Sequence, residues 1–463
     1  MTGGVPGRRL AIVNWRDPWH PSAGGAERYA WELARRLAAE GARVTYVTCR
    51  APGQRRRERV EGVDFVRTGG RFTVYPLVLL WLLLRRRRFD AVVDCQNGIP
   101  FFTPWVLPRR VPVFCSIFHV HDEQFGLYFP AWLAWVGRML EGPVARRTYR
   151  RHACTAISLT TLTALRERLA WTGPVYLVPV GVTLPDRIVR AEPVGDPDLV
   201  CVTRLVPHKR VDRVLDLAER LRPQWPGLRI GIVGRGPEHD RLAAEITARG
   251  LDGTVVLHGF VSEEEKAALV SRADLHLSAS RGEGWGLCVA EAAALGVPTV
   301  AYDVDGLRDA IRDGVTGWLV PDEEELAGTV ERVLKELGDP ERRARVAADC
   351  RAWAAEFDWS RTAGRMGELI AAAIRTGTSA TRDADAHVVR GYGDDHPRVV
   401  EGPVRDELLR DHGDVLQVRI ATPAERLLGR PDDGAGPGKA DPGEAGRGEA
   451  GRGEAGRGEG PAR

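Results

Sequence analysis

Short β-rich runs alternate with helical segments along this chain, and the alternation starts twice. In the first half "LAIVNW", "RVTYVTC", "FDAVVDC", "VPVFCSIFH" and "CTAIS" read as strands, separated by stretches such as "AERYAWELARRLAAEG" with helical periodicity. The proline, glycine and charge of "RAEPVGDPD" (190–198) mark a linker. Beyond it "LVCVTRL", "RIGIVGRG", "VVLHGFV", "DLHLSAS" and "PTVAYDV" begin the pattern again. Alternation of this kind builds parallel sheets layered between helices. The expectation is an α/β protein of two doubly wound domains in tandem, 1–189 and 190–358, with ligands beyond the carboxyl ends of the strands. After about Arg375 the pattern stops. "GEAGRGEAGRGEAGRGEG" holds too little apolar surface to fold, so 376–463 is expected to be a largely disordered tail, with a helix or strand left open for "VLQVRIATPAERLL".

Composition narrows the function classes. A net charge of +3, from 66 basic against 63 acidic residues, argues against nucleic-acid binding as the main activity. The seven cysteines are scattered without a CxxC pair, which fits buried free thiols in a reduced, cytoplasmic compartment. "PLVLLWLLL" before Arg85–Arg88 is far shorter than the roughly 20 residues that span a bilayer. It reads as a buried helix, with contact to an anionic membrane surface as the second reading.

Chemistry concentrates in a few turns. In "GEGWGLCVAEAAALG" (282–296) Glu283 lies in a strand-to-helix turn and Glu291 about one turn into the helix. Helix-start amides near Gly286 and Leu287 offer an anion site, and Gly284 and Gly286 let a ligand approach the backbone. Two carboxylates set apart by roughly 12 Å of helical rise suit hydroxyl-rich groups on either side of a diphosphate. "TRLVPHKRVD" adds Arg204 and Lys209 at another strand end, where paired cations suit the same diphosphate. "GIVGRGPEHD" carries Gly234 and Gly236, but His239 stands where a dinucleotide fingerprint requires a third glycine, so it reads as a tight turn beside a nucleotide. Gly24 and Gly25, between the first strand and first helix, read equally as a plain turn into the helix and as amides meeting an anion or sugar from across the cleft. "FCSIFHVHDEQF" places His119 at a strand end near His121, Asp122 and Glu123. Without a further ligand cluster it reads as a hydrogen-bonding histidine rather than a metal site.

Taken together, "GGAE", "FHVH", "TRLVPHKRVD" and "GEGWGLCVAEAAALG" followed by "GVPTVAYDVDGLRDAIRDGVTGWLV" resemble the retaining family 4 glycosyltransferases of GT-B fold, over about residues 8–375. The resemblance implies two facing Rossmann-like domains. A final helix, about 359–375, would cross back to the first domain. It implies a nucleotide-sugar donor, no metal or other cofactor, and a sugar, lipid-linked or small-molecule acceptor. Glu283 would meet donor-sugar hydroxyls and Glu291 the ribose. Arg204, Lys209 and the backbone at Gly286, Leu287 and Gly25 would hold the diphosphate, and His119 would lie near the reacting sugar. Retention would come from same-face attack or, as the second reading, from a covalent intermediate, though no side chain stands out as its nucleophile. The chain departs from the family at "PVGVT" (179–183), where "PNGVD" is usual. Other readings are a sugar-nucleotide epimerase or phosphorylase of the same fold, and a non-catalytic sugar-nucleotide-binding subunit.

Overall fold

The computed structural model describes residues 5–171, 175–184, 196–322 and 324–377, with the backbone of 386–391, 397–401 and 416–420. The first sheet contains β1 (Arg9–Val13), β2 (Arg43–Thr48), β3 (Arg57–Val60), β4 (Val63–Arg67), β5 (Ala91–Gln96), β6 (Val113–Ile117), β7 (Ala153–Ala156) and β8 (Val175–Leu177). Their order is β3-β4-β2-β1-β5-β6-β7-β8, parallel throughout except for the β3–β4 pair. Every residue of β5 and β6 is buried, which explains their continuous apolar reading: helices cover both faces. The β3–β4 hairpin is absent from the sequence reading. It turns at Glu61 and Gly62, both at positive φ (45° and 81°), the geometry a two-residue hairpin needs.

The second sheet contains β9 (Asp198–Val202), β10 (Arg229–Val233), β11 (Val255–Gly259), β12 (Leu275–Ser278), β13 (Thr299–Tyr302) and β14 (Gly317–Val320). All pairs are parallel, in the order β11-β10-β9-β12-β13-β14. This is the dinucleotide-fold order, with its topological switch between β9 and β12. The first sheet switches between β1 and β5. In such sheets the loops leaving the strands on either side of a switch diverge and leave a crevice. Both sequence-derived ligand turns of the second half, after β9 and after β12, flank that crevice.

The helix Trp359–Thr376 returns to the first domain and packs on the helix Gly25–Ala39, with the Trp359 and Tyr29 rings 6.1 Å apart. It enters under the "PVGVT" turn. Val182 N donates to Phe357 O (2.9 Å), and Thr362 Oγ1 donates to Pro179 O (2.9 Å). A Cβ on Gly181 would stand 2.4 Å from Trp359 N, so the turn keeps its glycine to let the returning helix start beneath it. One apolar cluster therefore runs from Tyr29 and Leu33 through Trp359 and Met366 to Leu277 and Trp285 of the second domain.

One expectation needs correction. The helix Val74–Leu83 buries only Val78 and Leu82 with its first residue Val74, a single stripe, while Leu77, Leu80, Leu83 and the following Leu84 are exposed. It is not a buried helix, because one side of a surface layer has no second sheet to cover it. In the tail, strands Ala386–Gly391, Pro397–Glu401 and Leu416–Ile420 form a small antiparallel sheet, the last of them inside the stretch left open for a helix or strand; the repeat, and 190–195 of the linker, lie outside the described residues.

Candidate active site

The loop after β12 carries Glu283, held from three sides. Lys209 Nζ donates to Glu283 Oε1, Ser280 Oγ donates to the same oxygen at 2.8 Å, and Glu283 N bonds Asp305 O at 2.9 Å. Lys209 ends the short 3₁₀ turn Pro207–Lys209 that follows β9, so the pair joins the two sides of the switch crevice. Burial by itself would raise the Glu283 carboxyl. The Lys209 ammonium, with Ser280 and His208, outweighs it and keeps the group below the usual glutamate value. Arg210, unnoticed in the sequence, fixes the turn: at φ 48° it reaches back to the carbonyls of Ala279 (2.8 Å) and Ser280 (3.1 Å) and lies over the Tyr302 ring.

The helix Leu287–Ala294 starts from Gly286, in the left-handed region (φ 83°) and without a side-chain cap, so its first-turn amides at Leu287 and Cys288 face outward for an external acceptor. Glu291, on this helix, is not free: Arg28 Nη1 of the first domain lies 2.7 Å from one oxygen and Lys266 Nζ 3.0 Å from the other. Neither cation carried a motif, and only the fold brings them to Glu291.

The first domain meets this surface closely. A Cβ on Gly282 would lie 3.7 Å from His119 Cε1, and one on Gly24 would lie 3.7 Å from Arg204 Nε. His119 thus faces the Glu283 loop, and exposed Arg204 faces the first-domain glycine turn. Gly24 caps the helix Gly25–Ala39 and its amide bonds Glu27 Oε2 at 2.7 Å, whereas a Cβ on Gly25 would meet nothing within 4 Å. Thr160 and Asp309 close the far side: Thr160 Oγ1 donates to Asp309 Oδ2 (2.7 Å), and Gly306 N donates to Thr160 Oγ1 (2.9 Å). Tyr128 and His208 bridge the two domains on the near side.

Two glycine readings change. Gly284 does not leave room for a ligand; a Cβ there would lie 2.0 Å from Phe118 O, so it leaves room for the opposite domain. Gly234 (φ 145°) packs beneath the β9 exit, where a Cβ would fall 1.8 Å from Thr203 O, so packing rather than a nucleotide explains the glycine. His119, Arg204, Lys209, Glu283, Gly286, Leu287 and Glu291 do converge with the Gly24–Gly25 turn. His119 and His121 have rings 5.2 Å apart, but among the described residues no three His, Cys, Asp or Glu side chains gather as a metal site would.

Burial, reinforced by His121, Arg168, Lys209 and His208, holds His119 well below the ordinary imidazole range, so it is neutral at pH 7. Burial also pushes His208, His152 and His276 down to about 4. In the unfolded chain these rings take protons near pH 6.5, so between about 6.5 and 4 the unfolded state binds more protons than the folded one. Their contribution to stability is complete above that window and is lost as pH falls through it. We expect the melting temperature to drop between pH 7 and pH 5, and His208→Gln to flatten that slope; an unchanged slope would show that His208 titrates normally.

Two Rossmann-like domains closing on a crevice of this kind define the GT-B architecture. Residues 23–184 match the family described as Glycosyltransferase Family 4, and 185–353 match Glycosyl transferases group 1. The alpha-D-kanosaminyltransferase of Streptomyces kanamyceticus is 35% identical over 58% of this chain and 75% of its own length. A GDP-mannose-dependent alpha-(1-6)-phosphatidylinositol monomannoside mannosyltransferase of Mycobacterium tuberculosis is 28% identical over 78% of this chain and 98% of its length. Sucrose-phosphate synthase of Thermosynechococcus elongatus shares the fold (TM-score 0.68, 20% identity, 80% of this chain and 100% of that one). The chain belongs to the family 4 glycosyltransferases.

Proposed function

We propose that the protein transfers a sugar from a nucleotide-sugar donor to an acceptor with retention of anomeric configuration, working in the cytoplasm without a metal. The observation that carries this reading is the crevice between β9 and β12, where Lys209 and Glu283 stand paired beneath uncapped helix-start amides and opposite His119. In this reading the diphosphate lies over the amides of Leu287 and Cys288, with Arg204 and Lys209 at its oxygens. Glu283 accepts from donor-sugar hydroxyls, and ribose hydroxyls reach Glu291.

Cleavage of the sugar–phosphate bond places negative charge on the leaving diphosphate and positive charge on the anomeric carbon. Cations and amides fixed before the reaction stabilise the first without reorganising. The close fit of the domains excludes water that would hydrolyse the donor. Neutral His119 can take part in hydrogen bonding to the sugar but adds no repulsion to the developing cation.

For the acceptor we infer a lipid-linked or surface-glycan substrate met at a membrane surface. Among the described residues no helix is long and apolar enough to cross a bilayer. The exposed side of Val74–Leu83, beside Arg85–Arg88, has the composition of a surface contact. A thermal-shift screen of nucleotide sugars tests the donor, since only a bound one raises the melting temperature by mass action. NMR of the first-formed product should show the donor's anomeric configuration kept; an inverted centre rules out the retaining assignment.

A further inference from the structure

A cavity of about 740 Å³ opens in the first domain, walled by segments that contribute nothing to the crevice. Arg109, Arg147, Arg150 and Arg151 line it, with Trp105 and Thr148 between them. Trp105 is fixed there: its Nε1 donates to Thr148 Oγ1 at 3.1 Å and its ring stacks on Phe102 at 4.5 Å. All four arginines are exposed, and none forms an ion pair among the described residues. Other guanidiniums in the molecule carry their own counter-charges: Arg67 holds Asp17 and Glu58, and Arg249 holds Asp216, Glu219 and Glu245. Four like charges sharing one cavity repel one another, and an anion bearing several acceptor oxygens would relieve that repulsion. Forked guanidiniums suit a phosphoryl group best.

The surroundings say where that anion comes from. The helical stretch Ala131–Tyr149, which loosens into a π turn at Leu140–Val144, exposes Trp132, Trp135, Arg138, Pro143 and Arg147 along one stripe. Trp132 and Trp135 are 69% and 59% exposed, too much indole to leave in water without a use. Indoles at one end of a stripe and arginines at the other match the boundary between acyl chains and headgroups. Val78 and Leu82 of the Val74–Leu83 helix share one apolar cluster with Ala145 and Tyr149, so its exposed leucines belong to the same helical layer.

We propose that this cavity receives the phosphoryl headgroup of an anionic membrane lipid and docks the first domain with Trp132 and Trp135 at the acyl boundary. The proposal rests on the membrane-surface reading above and gives it a specific contact. It is independent of the donor.

Co-sedimentation of the full chain with phosphatidylcholine vesicles, with and without phosphatidylglycerol, tests it. Binding should require phosphatidylglycerol and weaken with salt. Arg147→Glu with Arg150→Glu should weaken binding at least about 25-fold, since each cation near such a surface is worth roughly fivefold. Arg147→Lys with Arg150→Lys should recover part of it, because charge returns without the planar fork. Turnover on a soluble acceptor should be unaffected by either pair, which also verifies folding. If the native chain binds and the Glu pair binds equally well, the headgroup site is overturned while the membrane contact stands. If the native chain binds no vesicle, both fail and the donor reading is untouched. If glycerol phosphate displaces the protein from vesicles at millimolar concentration, the cavity is a soluble-anion site and the lipid assignment is overturned.

Discussion

Lys209→Ala should lower turnover by roughly 100-fold or more, the scale of losing one preorganised stabiliser of developing charge. Affinity for the nucleoside diphosphate should fall less, because Arg204 and the amides at Leu287 and Cys288 remain to bind the resting complex. The structure adds a complication and its own control. Lys209 is the cation that holds Glu283 ionised, so its removal also orphans a buried carboxylate, and breaking one partner of such a pair is destabilising in itself. The two causes separate in the double variant. If Lys209→Ala acts only by orphaning the carboxylate, the double variant with Glu283→Gln regains stability and is no slower than Glu283→Gln alone. If the leaving diphosphate has lost its counter-charge, the double variant regains melting temperature and is markedly slower than Glu283→Gln alone. Lys209→Arg should recover only part of the turnover, since a planar fork does not replace a compact ammonium. Unchanged turnover in Lys209→Ala would remove the phosphate-clamp role and with it the reading of the crevice.

The alternation of strands and helices was legible because covered parallel strands leave continuous apolar runs, and β5 and β6 show that pattern without interruption. The β3–β4 hairpin escaped because "RERV" is a charged edge strand, "VDFVR" carries only three apolar residues, and a Glu-Gly turn is a weaker signal than Asn-Gly. In the site, polar residues lying in the turns that leave strand ends could be found: Glu283, Lys209, Arg204, His119. Their partners could not. Arg28 and Lys266 sit on helices where a surface charge is the ordinary reading; Lys266 reaches Glu291 through the packing of the second domain, and Arg28 reaches it only because the domains meet. Tyr128 and His208 are the same case. The glycines failed in an instructive way: a sequence shows where a Cβ is absent but not which neighbour, if any, forbids it. For Gly181 that neighbour is Trp359, for Gly234 it is Thr203, and for Gly284 it is the other domain.

That last contact sets up the second large effect. Gly284 lies in the Glu283 loop of the second domain, and a Cβ on it would stand 2.0 Å from Phe118 O and 3.1 Å from Ile157 Cδ1 of the first. The nearest obstacle is backbone, next to His119 at the end of β6, so it cannot move aside as a flexible side chain would. Gly284→Ala must therefore push the domains apart by an ångström or so, moving His119 away from Gly282 and straining the Thr161 Oγ1 bond to Gly284 O (3.4 Å). Displacement on that scale costs roughly 100-fold in rate when groups on two bodies must act on one bond. Each domain keeps its own sheet, so the melting temperature should change little, and diphosphate affinity, which draws on the second domain, should stay near native. The comparison is steady-state turnover beside calorimetric affinity for Gly284→Ala and for Gly328→Ala. A Cβ at Gly328, on the helix Leu326–Glu336, meets nothing within 4 Å, so that variant tests a glycine lost without a clash and away from the site. Native turnover in Gly284→Ala would mean that the reaction proceeds from a wider separation of the domains than this structure holds. Loss of affinity equal to loss of rate would place the damage in the donor loop itself rather than in the fit between the two halves.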